Sequence, residues 1–127
     1  MLLVSMELLS FLNETKTFFL GTVENGKPKL RPFGAVAEFE GKMYFVTSNT
    51  KNVYKQIAAN PNVCVCACNA DRKWIRIEGT AKFDTRTAAK QKMIDDNPVL
   101  LQHKRYTSAH DPAMEVFFLE NLKTEIY

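Results

Sequence analysis

The sequence has no apolar run approaching the roughly 20 residues of a membrane-spanning helix, which argues against a helical membrane protein. It holds only three cysteines and two histidines, and no CxxC pair. The zinc-knuckle spacing and the paired-thiol redox motif are therefore missing. No repeat, low-complexity tract or linker divides the 127 residues, so a single domain over 1–127 with a modest core is expected. Basic residues outnumber acidic ones by 17 to 14, a net charge of +3 that does not by itself imply nucleic acid. The opening MLLVSMELLSFLNE has neither a basic leader nor a small-residue cleavage site, and Glu7 interrupts its apolar run. It is expected to be an amphipathic helix kept in the mature protein, and the chain to be cytoplasmic.

The cysteines that are present alternate. Cys64, Cys66 and Cys68 in NVCVCACN share one face of a strand. Extended neighbours two apart lie about 6.6 Å between Cα atoms and do not converge on one metal or one bridge. No metal site is expected; the thiols read as small buried hydrophobes in a reduced compartment. Val63, Val65 and Ala67 make the other face apolar too. One face then packs a barrel interior while a helix or a second subunit covers the other.

The remaining pattern is mostly strand. Thr17 to Glu24 reaches the turn signal Asn25-Gly26, Lys29 to Glu40 returns, and Gly41-Lys42 leads into Met43 to Ser48, predicting a three-strand antiparallel meander. A helix is predicted from about Thr50 to Ala59, stopped by Asn60-Pro61. The cysteine strand and a long strand from Lys73 to Phe83 follow. A second helix, capped by Asp84 or Thr85, runs to Asp96. Val99 to Pro112 reads as irregular or short helix, and Met114 to Tyr127 as one or two closing strands. Six or seven strands with helices at the rim, and no strand–helix alternation, predict a mainly β protein built as an antiparallel barrel.

Two local oddities point to chemistry. Leu30-Arg31-Pro32-Phe33-Gly34 places a proline, which cannot donate to the ladder, and a glycine within a strand. Strict alternation sets Arg31, Phe33, Ala35, Ala37 and Phe39 on one side and Pro32, Gly34, Val36 and Glu38 on the other. Bare backbone at Gly34 lets a flat ligand approach, and Arg31 can meet a phosphate with a bidentate fork. An edge strand with a solvated arginine and a glycine bulge would give the same sequence. The helix after Ser48-Asn49-Thr50 then begins with Lys51 and Asn52 and carries Lys55, with no acid in its first turn. Cations there oppose the helix dipole, and a bound anion reverses that penalty. A capped surface helix with solvated lysines remains the plain alternative.

RPFGAVAEFEGKMYFVTSNTKNVYKQIAANPNV, followed by WIRIEGTA, resembles the small members of the pyridoxamine 5'-phosphate oxidase-like, FMN-binding split-barrel superfamily. The likeness runs from Met6 to Tyr127. It implies a split β-barrel, a homodimer with two FMN sites at the subunit interface, and an FMN-dependent oxidoreductase acting on a small planar molecule. Carried onto this chain, it implies that Arg31, Pro32, Phe33 and Gly34 line the flavin, with Arg31 at the phosphate. Val46 and Thr47 would meet the ring edge. Ser48, Asn49, Lys51 and Asn52 would complete the phosphate and ribityl contacts. Trp74 occupies a position that often touches the flavin in this superfamily, although an ordinary core or interface tryptophan fits equally.

The chain ends in KTEIY, without the C-terminal arginine and histidine segment of the pyridoxamine phosphate oxidases themselves, so vitamin B6 synthesis is not expected. Nitroimidazole-resistance relatives are associated with a histidine near the flavin, whereas His103 and His110 fall in the late irregular segment and read as surface residues. Phe33 or Tyr106 could wall a substrate. No general acid or base is assigned, because flavin supplies the redox chemistry. A non-catalytic flavin-binding or sensor protein is an alternative, and relatives of this fold also hold a deazaflavin or haem. Lys27, Lys29 and Arg31 alternating on one strand face motivate a third reading, a nucleic-acid-binding barrel; neither nucleic acid nor membrane is the expected partner.

Overall fold

Asn25 and Gly26 both take left-handed φ, 52° and 75°, the pair of positive values that a two-residue primed hairpin turn needs. Glu40 and Gly41 repeat this at 52° and 76°, one residue earlier than the predicted Gly41-Lys42 turn. These turns belong to a computed structural model that describes residues 6–127. Its elements are helix α1 (Met6–Thr15), strands β1 (Phe18–Glu24), β2 (Lys27–Phe33), β3 (Val36–Phe39) and β4 (Lys42–Ser48), helix α2 (Asn52–Ala59), strands β5 (Asn62–Cys68) and β6 (Trp74–Asp84), helices α3 (Thr87–Asp96) and α4 (Val99–Gln102), and strand β7 (Met114–Ile126). Among the described residues, no helix is long and apolar enough to cross a membrane.

The strands form one antiparallel seven-stranded sheet in the order β2-β1-β5-β6-β7-β4-β3. The predicted meander is therefore wrong. The stretch 29–40 is two strands, broken at Gly34-Ala35: β2 pairs with β1, while β3 pairs with β4. Strands β2 and β3 are the two outer edges of the sheet and yet are consecutive in the chain. Laid flat, seven strands would hold their edges roughly 29 Å apart at about 4.8 Å per step. Phe33 and Val36 are joined by three Cα–Cα steps, which span at most about 11 Å. The sheet must curl until its edges nearly meet, consistent with a split β-barrel whose seam is at Gly34-Ala35.

The break also changes which residues share a face. Phe33 and Val36 pack into the interior cluster of Phe18, Leu20, Phe45, Ile77 and Phe117, whereas Ala35 and Ala37 belong to a second cluster. Strict alternation across residues 31–39 thus fails by one residue at the crossing. The interior rings make tight contacts, Phe18 to Phe45 at 5.7 Å and Phe45 to Phe117 at 5.5 Å between centroids. Leu8, Leu9 and Leu12 of α1 and Val53 and Ile57 of α2 join this interior. Outside, Ala89, Met93 and Ile94 of α3 cover Tyr44, Val116 and Phe118. Strand β7 serves both layers because its side chains alternate, Phe117 and Leu119 inward and Val116 and Phe118 outward.

The cysteine face departs from expectation. Val63, Val65 and Ala67 are interior, but Cys64 and Cys66 are only half-buried and Cys68 is exposed. Phe19, paired with Cys66 on the neighbouring strand, is 43% exposed. Helix α3 also starts later than predicted: Arg86 is its N-cap and no side chain caps it, because Asp84 is the last residue of β6.

Candidate functional site

A cleft of about 740 Å³ opens at the seam, between the Gly34-Ala35 crossing, the end of β4, the start of α2 and the segment 99–106. Eight of the eleven expected site residues line it: Arg31, Pro32, Phe33, Gly34, Val46, Thr47, Ser48 and Lys51. The topology explains why. Arg31 and Thr47 lie on strands that pair with different partners, and only the curl of the sheet brings them to one mouth.

Arg31 reaches inward. Its Nη1 donates to the Leu20 carbonyl at 3.0 Å and its Nη2 to Gln56 Oε1 at 2.6 Å. The same Gln56 oxygen accepts from Thr22 Oγ1 at 2.5 Å. These acceptors are neutral, and among the described residues no carboxylate pairs with Arg31. Burial lowers its pKa from the ordinary arginine value, and an arginine stays a cation at neutral pH. Two of its five N–H donors are used, so the remainder of the fork can serve a ligand.

The start of α2 is more open than predicted. Lys51 is the N-cap, with extended φ and ψ of −91° and 152°, and no side chain caps the helix. The candidate caps are engaged elsewhere. Ser48 Oγ bonds the Tyr106 hydroxyl at 2.9 Å, and Asn49 Nδ2 donates to the Pro112 carbonyl at 2.7 Å and to Glu115 at 2.9 Å. The first-turn amides are left without a side-chain acceptor, and no acid sits in that turn.

Thr47 is only 3% exposed and lines the cleft, yet among the described residues its Oγ1 has no hydrogen-bond partner. Such an orphaned hydroxyl costs about 1–3 kcal/mol unless a ligand satisfies it. Gly34 is also unexplained by the fold. It does not have positive φ, and a Cβ there would sit 3.5 Å from the Lys16 carbonyl, an ordinary contact. The cleft's lining contains Arg31, Lys51 and Arg105 and no aspartate or glutamate. Phe33, Val46, Val53 and Leu100 supply apolar wall beside them.

Three expected residues are not brought in. Asn49 is tied to the 112–115 strand entry, and Asn52 begins α2 outside the lining. Trp74 stacks on Tyr127 at 4.1 Å and 13° on the outer sheet face, with the Arg76 guanidinium 5.1 Å from its ring. Conversely, sequence reasoning left Thr17, Val99, His103 and Arg105 out of the site, although all four line the cleft. His103 is exposed, as read, but stands at the cleft's rim. The basic run His103-Lys104-Arg105 was the available signal. Tyr106, considered as a possible wall, is buried there; burial pushes its hydroxyl pKa up while the Ser48 bond opposes that. Among the described residues, no group of three His, Cys, Asp or Glu side chains is placed to hold a metal.

Residues 4–120 match the sequence pattern of pyridoxamine 5'-phosphate oxidase. The chain belongs to that family. A NimC/NimA family protein from Clostridium acetobutylicum is 36% identical, with a TM-score of 0.89 over 95% of this chain and 85% of its own. More distant structures share the fold alone. HutZ, the heme storage protein from Vibrio cholerae, is 14% identical with a TM-score of 0.74 over 98% of this chain and 95% of its own. An F420 reductase is 18% identical with a TM-score of 0.67, covering 91% and 94%. A search of curated proteins gives no match.

Proposed function

We propose that the seam cleft binds FMN and that the protein is an FMN-dependent oxidoreductase acting on a small planar molecule. The observation that carries this reading is the combination of Arg31 and Lys51, two cations without an ion pair among the described residues, a lining that holds no acid, and an orphaned buried hydroxyl around one half-apolar cleft. Arg31, Lys51 and the open amides of α2 suit a phosphate monoester. Thr47 Oγ1 suits a polar ring edge, and the bare backbone at Gly34 suits close approach of a flat ring. When bound, the flavin would supply the electron transfer. The chain's own residues bind it, orient it and, through Phe33, Val46 and Leu100, exclude water from one side. The names F420 reductase and heme storage protein among the fold's neighbours make deazaflavin and haem the competing ligands.

The reading includes a homodimer. The outer face carries Phe19, Leu30 at 70% exposure, and the half-buried Cys64 and Cys66, with Arg76 and Glu78 beside them on β6, a mixed apolar and charged surface suited to a second copy. Trp74 lies on that face. Sedimentation of a monomer at micromolar concentration would remove this part of the proposal.

The direct experiment is mass spectrometry of the small molecule released by heating purified protein, followed by titration with FMN and riboflavin. One FMN per chain, bound much more tightly than riboflavin, is the expected result. A protein that is colourless and takes up no FMN would sink the reading. Oxidation of a reduced nicotinamide faster than by free flavin separates an enzyme from a flavin-binding or sensor protein.

A further inference from the structure

The cleft's cations come from separate segments of the chain. Arg31 and Lys51 stand on β2 and at the start of α2; Arg105 stands on the segment that follows α4. A phosphate monoester carries about −1.5 to −2 charges at neutral pH, which Arg31 and Lys51 together match. Arg105 is then left over in a cleft whose lining has no carboxylate.

Its wall is built, not loose. The backbone N–H groups of Arg105 and Tyr106 both donate to the Leu100 carbonyl, at 3.0 and 3.1 Å. Lys104 takes the left-handed φ of 56° that turns the chain back to make those bonds. The Tyr106 hydroxyl then pins the segment to Ser48 of β4 at 2.9 Å. The carboxylate that serves this segment, Asp111, accepts from the Thr107 and Ala113 backbone N–H groups and from Thr107 Oγ1, so it is spent on the turn. Among the described residues Arg105 has no ion pair.

We infer that Arg105, with His103 at the same rim and Val99 and Leu100 as an apolar side wall, forms a subsite for the carboxylate of a flat organic monoanion, making this protein's substrate an anion. The inference rests on the proposed FMN reading, which assigns the other two cations to the cofactor's phosphate. Arg105 is exposed at the rim, so a neutral planar molecule leaves its charge to water. A carboxylate matches it by a charge-assisted pair and lays its ring against the apolar wall.

The test uses benzoate and its neutral isostere benzamide, titrated into FMN-loaded protein and read by calorimetry and by the flavin difference spectrum. Benzoate is expected to bind roughly tenfold or more tightly than benzamide. Arg105→Gln should remove that preference while leaving benzamide binding and FMN affinity within about twofold, and Arg105→Lys should keep most of it. Equal binding of the two probes, or an unchanged preference in Arg105→Gln, overturns the inference. So does an Arg105→Gln protein that loses FMN affinity or shifts the flavin potential with benzoate binding intact, because the charge would then serve the cofactor. The same titration without FMN separates the two claims. A chain that takes up no FMN but holds benzoate through Arg105 refutes the cofactor and keeps the anion subsite, and one that holds neither refutes both.

Discussion

Arg31 and Arg86 are both arginines packed against the sheet, and their surroundings are opposite. Arg86 lies between two carboxylates: Nη2 is 2.8 Å from Asp84 Oδ2 and 2.5 Å from Glu40 Oε1, and the guanidinium covers the Phe39 ring at 5.3 Å. Asp84 also accepts from the Tyr44 hydroxyl at 2.6 Å. That network ties the end of β6 to the β3–β4 hairpin, and its charge is consumed in doing so. Arg31 is held just as firmly, but by the Leu20 carbonyl and the Gln56 amide, which orient it without neutralising it. An arginine balanced by acids belongs to the fold; one held by neutral oxygens keeps its charge for something else.

The comparison breaks most readily at the cleft. Replacing Arg31 and Lys51 together by Ala should weaken FMN binding by about 3–6 kcal/mol, two charge-assisted contacts, with little change in thermal midpoint. Unchanged affinity in a fluorescence titration would show that the phosphate sits elsewhere. Asp84→Ala should do the reverse. Loss of a buried acceptor shared by Tyr44 and Arg86 should cost about 2–3 kcal/mol in urea unfolding while FMN affinity holds.

The same aspartate sets a pH dependence. Arg86, and secondarily the Tyr44 bond, hold the Asp84 carboxyl well below its ordinary value of 3.8. A depressed folded-state pKa contributes stability that is present above the unfolded value and is lost as pH falls toward the folded one. Wild type should therefore lose stability progressively below about pH 4, and Asp84→Asn should lose less of it over the same range. Parallel acid-unfolding curves for the two proteins would refute the assignment. The smallest effect is the sharpest: Thr47→Val removes an orphaned hydroxyl, so the empty protein should hold or gain up to about 1 kcal/mol, while FMN affinity falls several-fold, roughly one hydrogen bond. A destabilised empty protein with unchanged FMN affinity would mean that the hydroxyl serves the fold.

Much of the architecture is legible in local pattern. Asn25-Gly26, the alternation of Val63, Val65 and Ala67, and Asn60-Pro61 mark a turn, a strand and a helix stop by chemistry that acts over a few residues. What the pattern hides is the seam. Residues 29–40 look like one strand because nothing local reveals that β1 takes β5, and β4 takes β7, as second partners. Those pairings are decided by burial across the whole chain. The lining of the cleft was legible where ligand chemistry and strand position coincide, as at Arg31, Thr47 and Lys51. Asn49 and Trp74 lie outside that lining because their side chains found partners within the protein, and Arg105 enters it through the return of a segment with little regular structure.

The seam has a mechanical meaning as well. Edges β2 and β3 share no ladder, and the Gly34-Ala35 link is what joins them directly, so the barrel can be peeled there without breaking a rung between them. A molecule gripping Arg31 on one side and Thr47 on the other would stand in for the missing rung. Hydrogen exchange at β2 and β3 should then slow on loading, turning a structural weakness into a gauge of occupancy.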